Sequence, residues 1–113
     1  MTYINIAIIL LAMATKTLVR SIDAELLHRA ADIIKMLGHP ERLKIVEVLE
    51  NREAAVSEIQ EALDLPQPIV SQHLAKMRGA GIVAARRDGI HVYYRIVEPK
   101  VEHILGCIRT CDM

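Results

Sequence analysis

Two runs of strand-forming residues, Ile82 to Arg87 and Ile90 to Val97, are parted by Asp88-Gly89. Asp-Gly between such runs is among the strongest short-range hairpin signals, because the turn needs positive φ and glycine takes it without steric cost. A lone hairpin is marginal in water, so the rest of the chain has to supply the core it leans on.

That core has to be aliphatic. Hydrophobic residues make up 52% of the 113 residues and charged residues 25%, which excludes a disordered chain. The aromatic share is only three Tyr, with no Phe and no Trp. Leu26, Ala30, Ile33, Ile34 and Leu37 recur at helical spacing between Ile22 and Leu37, where Gly38 stops the helix. His39-Pro40 opens a second helix whose buried side is Leu43, Val46 and Leu49, with Ile45 and Val48 beside them. Ser57-Glu58-Ile59-Gln60 has the form of a capping box, with Ser57 as the cap and Gln60 reaching back, and starts a short helix to about Leu63. Leu65-Pro66-Gln67-Pro68 is a tight connection into a fourth helix, which carries Ile69, Val70, Leu74 and Met77 inward and stops at Gly79-Ala80-Gly81. Glu98-Pro99 opens a last helix after the hairpin. The expectation is an α+β, mostly helical domain of about five helices plus a two-stranded β-hairpin, spanning residues 21–113.

Formal net charge is zero, but the charge is unevenly placed. Residues 67–95 hold Lys76, Arg78, Arg86, Arg87 and Arg95 against Asp88 alone, a net of +4, and leave −4 on the remainder. Such asymmetry in a small domain suggests a face that meets a polyanion. The basic segment is also where a short helix, a turn of three to four residues, a second helix and the hairpin follow one another. This is a helix-turn-helix with a wing. The second helix suits the DNA major groove, which admits one α-helix and shows a distinct donor and acceptor pattern for each base pair. Gln67, Pro68, Ser71, Gln72, His73 and Lys76 are its candidate contact residues, and Arg86, Arg87 and His91 suit phosphates or a narrow minor groove. Ser71 and Gln72 also fit an ordinary solvated face, and Tyr93-Tyr94 reads as strand packing rather than base contact.

At this point the chain resembles the ArsR/SmtB family. Met36-Leu37-Gly38-His39-Pro40-Glu41-Arg42-Leu43-Lys44-Ile45 is similar to the family's L-x-(H/D)-P-x-R-L-x-I signature. Val70-Ser71-Gln72-His73-Leu74 with Gly81-Ile82-Val83 resembles its recognition helix and exit, and Arg87-Asp88-Gly89 with Val92-Tyr93-Tyr94 its wing. The likeness runs from about Ile22 to Ile108. It implies a homodimeric winged-helix transcriptional regulator, usually a repressor, that binds a double-stranded DNA operator and pairs through its first and last helices in the cytoplasm.

Family members that sense metals carry a cysteine box at the third helix or paired ligands on the last one. Ala54 to Gln60 holds no cysteine, and Glu98, Glu102 and His103 are followed by no second histidine, so the chain resembles the metal-independent members and no cofactor is expected. What remains is His103, Cys107 and Cys111, spaced along one edge of the last helix at about 40° per step. Three readings stay open: two small apolar residues near a terminus, a thiol redox pair, or a site for zinc, cadmium or arsenite completed by a partner chain. The absence of long-range cysteine pairs favours a reducing compartment.

Met1 to Ala14 is nearly all apolar. It is short of the roughly 20 residues a membrane span needs, and as an export signal it lacks a positively charged leader. Residues 1–20 are therefore read as an extension, either an extra helix that packs on a partner or a start assigned too early, with Met13 the natural first residue. No nucleophile-and-base pair and no Gly-rich phosphate loop is present, which excludes an enzyme. The rival from another class is a winged helix used for protein interaction without DNA.

Overall fold

A computed structural model describes residues 21–111. The proposed extension, residues 1–20, lies outside the described residues. The chain divides into two compact units, residues 1–30 and 31–113. Of the first, residues 21–30 are described and contain the opening of helix α1 (Ala24–Met36). The second continues with α2 (Pro40–Val48), strand β1 (Ala54–Ala55), α3 (Val56–Leu63), α4 (Gln67–Gly79), the hairpin β2 (Val83–Asp88) and β3 (His91–Ile96), and α5 (Pro99–Thr110).

Aliphatic side chains from every helix of the second unit fill its core. Ile45, Val46, Ile59, Val70, Leu74, Met77, Ile82 and Val101 are completely buried, and Tyr94 is the aromatic residue packed against them. Removing side chains of this size from water is the main stabilising term of so small a domain. Three members of the expected apolar faces stay outside: Leu26 and Ile34 on α1 are 36% and 62% exposed, and Ile69 on α4 is 39% exposed. Ile69 precedes Val70 by one residue, and a step of about 100° around the helix carries it off the buried side.

The helix ends show how local chemistry sets the boundaries. At α3 the cap is not Ser57. The helix begins at Val56 after Ala55, and the Glu58 carboxylate reaches back to accept from the Ala55 N–H at 3.0 Å. Alanine offers no side-chain acceptor, so only this half of a capping box exists. Glu58→Ala should cost about 1 kcal/mol, read as a lower urea midpoint with an unchanged slope. At the other end Asp64 (φ 54°) closes α3 in the left-handed region, and three residues lead into α4. Helix α4 ends in a Schellman motif: Ile82 N–H donates to Met77 O at 3.0 Å and Gly81 N–H to Arg78 O at 3.0 Å, with Gly81 at φ 76°.

The hairpin turns one residue later than the Asp-Gly pair suggests. Asp88 pairs with His91, so the two-residue loop is Gly89-Ile90, with Gly89 at φ 64°. Glycine thus sits at the first central position, the place a type II′ turn reserves for it. The sheet has a third member that the sequence pattern does not reveal: β1 pairs with β3 through Ala54–Tyr94 and Ala55–Tyr93, giving the order β1-β3-β2. Two alanines carry too little pattern to read as a strand, yet they join the wing to the start of α3.

Candidate nucleic-acid interface

Three fully buried residues, Val70, Leu74 and Met77, fix the rotation of α4. At about 100° per residue the side opposite them holds Pro68, Gln72, Ala75 and Lys76, all exposed. The candidate contact residues of this helix therefore divide into a front and two flanks. Gln72 and Lys76 are at the front, and among the described residues no hydrogen bond or ion pair engages either side chain. Gln67 and Ser71 lie one turn apart on one flank, where Gln67 Nε2 donates to Ser71 Oγ at 3.1 Å. His73 lies on the other flank, half-buried against α2.

The wing separates the two arginines that the sequence treats alike. Cross-strand partners share a face of a sheet. Arg86 is opposite Tyr93 and Arg87 is opposite Val92, so they point to different sides. Arg86 Nε and Nη2 donate to the Glu53 carboxylate at 3.1 and 3.0 Å, its guanidinium stands 4.9 Å over the Tyr93 ring, and Asp88 approaches at 3.9 Å. The bond from Arg86 holds the Glu53 carboxyl below the ordinary carboxylate range. Arg86 is thus neutralised within its own chain. Arg87 is not: among the described residues no carboxylate pairs with it. A cleft of about 320 Å³ lies between the wing and the start of α4, lined by Gln60, Gln67, Ile90, His91 and Val92 among others, with Ile90 93% exposed at the hairpin tip. The cleft brings Gln67 and His91 to one site.

Behind α4, Arg42 of α2 is only 6% exposed. Its Nε donates to His73 Nδ1 at 3.1 Å, and its Nη1 donates to Met36 O at 2.9 Å and approaches Met36 Sδ at 3.1 Å. Burial first, and the Arg42 charge second, hold the His73 imidazole below its ordinary value. Two residues that shape this interface, Glu53 and Arg42, were not picked out from the sequence as contributors. The signal for Arg42 was present as part of the signature around His39-Pro40, but nothing local marks its partner 31 positions away.

On α5, His103 and Cys107 are exposed and one turn apart, but Cys111 is the C-cap, with extended backbone (φ −81°, ψ 126°). It does not continue the helical edge on which the even 40° spacing was reckoned. Both cysteines are free thiols, and among the described residues no group of three or more His, Cys, Asp or Glu is placed to hold a metal ion. Among the described residues no helix is long and apolar enough to cross a membrane.

Known proteins share this arrangement. The family model for bacterial regulatory proteins of the arsR family matches residues 39–85, from the cap of α2 into β2. The transcriptional repressor PagR of Bacillus anthracis is 46% identical over 76 residues, covering 66% of this chain and 76% of PagR. The crystal structure of PagR superposes with a TM-score of 0.68 at 41% identity, over 76% of this chain and 99% of that one. HlyU from Vibrio cholerae N16961 superposes with a TM-score of 0.73 at 28% identity, over 77% of this chain and 95% of that one. The family model and the PagR match describe regulation of transcription, not catalysis. On its motifs, its winged fold and these matches, the chain belongs to the arsR family of bacterial regulatory proteins.

Proposed function

We propose that this protein is a cytoplasmic, homodimeric repressor that lays α4 in the major groove of a pseudo-palindromic DNA operator and rests the wing on the flanking backbone. The observation that carries this is the front of α4: Gln72 and Lys76 project from a helix anchored by three fully buried residues, and the wing that follows it in the chain carries the exposed Arg87. Gln72 has the donor and acceptor needed to read a base edge, and Lys76 and Arg87 suit phosphates. Pro68 completes the front, and Gln67, Ser71, His73 and His91 complete the contact set around the cleft and the two flanks. Arg86 is a weaker candidate than Arg87, because its charge is already met by Glu53.

A second copy is expected to pair through α1 and α5, where Leu27, Ile34 and Ile108 are left 52%, 62% and 41% exposed. Half-sites would then fall one helical turn apart, or a multiple of it. No cofactor is needed for this function. If a signal acts, the exposed thiols of Cys107 and Cys111 are where it would enter, by oxidation or by zinc, cadmium or arsenite shared with His103 of one chain and ligands of another.

The test is a fluorescence-anisotropy titration against the duplex upstream of the protein's own gene and against a shuffled duplex, with sedimentation to give the bound stoichiometry. Two chains per site, and affinity for the natural duplex about a thousandfold tighter than for the shuffled one, are expected. Equal affinity for both, or no binding to either, would favour the protein-interaction alternative.

A further inference from the structure

We propose that Arg42 is a positioning residue of this interface: its buried guanidinium holds His73 in the neutral tautomer that carries the proton on Nε2, so that α4 presents a hydrogen-bond donor, and not an acceptor, at this position. The proposal rests on the reading of α4 as the DNA-contacting helix, but its structural half can be checked without DNA.

A guanidinium has only donors and does not deprotonate in proteins. The ring nitrogen that faces Arg42 Nε at 3.1 Å must therefore be the unprotonated one, and it is Nδ1. The single proton of a neutral imidazole then sits on Nε2. An imidazolium would set N–H against N–H. The donor cannot swing away easily, because Arg42 is 6% exposed and its Nη1 is held by the Met36 carbonyl oxygen at 2.9 Å, with Met36 Sδ at 3.1 Å.

The charged and titratable groups around the ring are Arg42 and Glu41 of α2, His39 at the cap of that helix, and Lys76 of α4 itself. The His39 ring centroid is 6.0 Å from that of His73. Only Glu41 favours the charged ring, and burial with the Arg42 charge outweighs it, so His73 stays neutral at pH 7.

The consequence is a rule about the ligand. A fixed Nε2–H can serve a phosphate oxygen or a base-edge acceptor such as purine N7, guanine O6 or thymine O4, and it cannot serve the amino group of adenine or cytosine. His73 thus selects hydrogen-bond acceptors through a residue that touches no DNA.

The experiment is a long-range ¹H–¹⁵N correlation spectrum of the histidines in the full chain, without DNA, at about pH 7.5, for the wild type and Arg42→Met, followed by DNA titration of both proteins and of His73→Gln and His73→Asn. The wild type should show His73 as one tautomer, Nδ1 unprotonated and Nε2 protonated. Arg42→Met should shift it toward an exchanging mixture and weaken DNA binding about tenfold. His73→Gln, whose amide reaches the Nε2 position, should keep affinity within about threefold, and His73→Asn should lose about tenfold. Uniform loss over all sequences identifies the acceptor as a phosphate oxygen, and loss confined to one base pair identifies it as a base edge.

An Nδ1–H or mixed ring in the wild type overturns the proposal, as does a tautomer that Arg42→Met leaves unchanged. Should Arg42→Met not fold, the wild-type spectrum together with the Gln and Asn variants still decides. Failure of the wild type to bind any duplex strikes the DNA reading instead, and the nitrogen spectrum then judges the tautomer alone.

Discussion

Replacing Lys76 and Arg87 together by alanine should weaken binding to every duplex by about a hundredfold at low salt and remove most of its salt dependence. Two phosphate contacts per chain make four in a dimer, for which the slope of log affinity against log salt is about −4. Counting Arg86 as a third contact would make it about −5. The structure argues for the smaller value, because the Arg86 guanidinium is already held by both oxygens of Glu53. The single variants separate the two cases. Arg87→Ala should flatten the slope by about 2, while Arg86→Ala leaves it nearly unchanged, in anisotropy titrations at four or so salt concentrations. Equal effects of the two arginines would mean that the Glu53 pair opens when DNA arrives.

Leu74→Ala should lower stability by about 3 kcal/mol and the thermal midpoint by more than about 10 °C. Leu74 is completely buried where α4 meets the core, and the neighbouring Val70 and Met77 cannot collapse into the space a leucine leaves. The loss is also functional, since the same three residues set the rotation of the helix that presents Gln72 and Lys76. Gln72→Ala, two residues away on the opposite, exposed side of α4, should stay within about 0.5 kcal/mol of the wild type. Circular-dichroism melts and urea titrations measure both, and a Leu74→Ala protein that melts with the wild type would contradict the packing described.

Much of this was legible in the chain because period and punctuation are local properties. The apolar spacing of Val70, Leu74 and Met77, the Gly79-Ala80-Gly81 stop and the glycine at the hairpin all act within a few residues of themselves. Where expectation and structure part, the cause is a contact distant in sequence or a pattern too short to read. The turn moved to Gly89-Ile90 because glycine is more useful at the first central position than the second, and the change of register sets Arg86, in place of Ala84, directly opposite Tyr93. Strand β1 is two alanines whose pairing depends wholly on β3. Glu53 removes Arg86 from the set of free cations across 33 positions, and Arg42 meets His73 across 31. The family signature marks Arg42 as a position of interest, yet only the fold shows what it holds. The even edge of His103, Cys107 and Cys111 fails for a local reason, the end of α5 at Thr110, to which a lone cysteine gives no clue.

The central claim is that the front of α4 reads base edges, and a base-by-base scan of the operator tests it most directly. Each base pair is replaced in turn, and the affinities of the wild type and of Gln72→Ala are compared on every duplex. The wild type should lose about 1–3 kcal/mol at each contacted pair, and Gln72→Ala should abolish that discrimination at one pair of symmetry-related positions while keeping it elsewhere. A Gln72→Ala protein that loses the same affinity on every duplex, with the wild-type preference intact at all positions, would show that this face of α4 does not read the sequence.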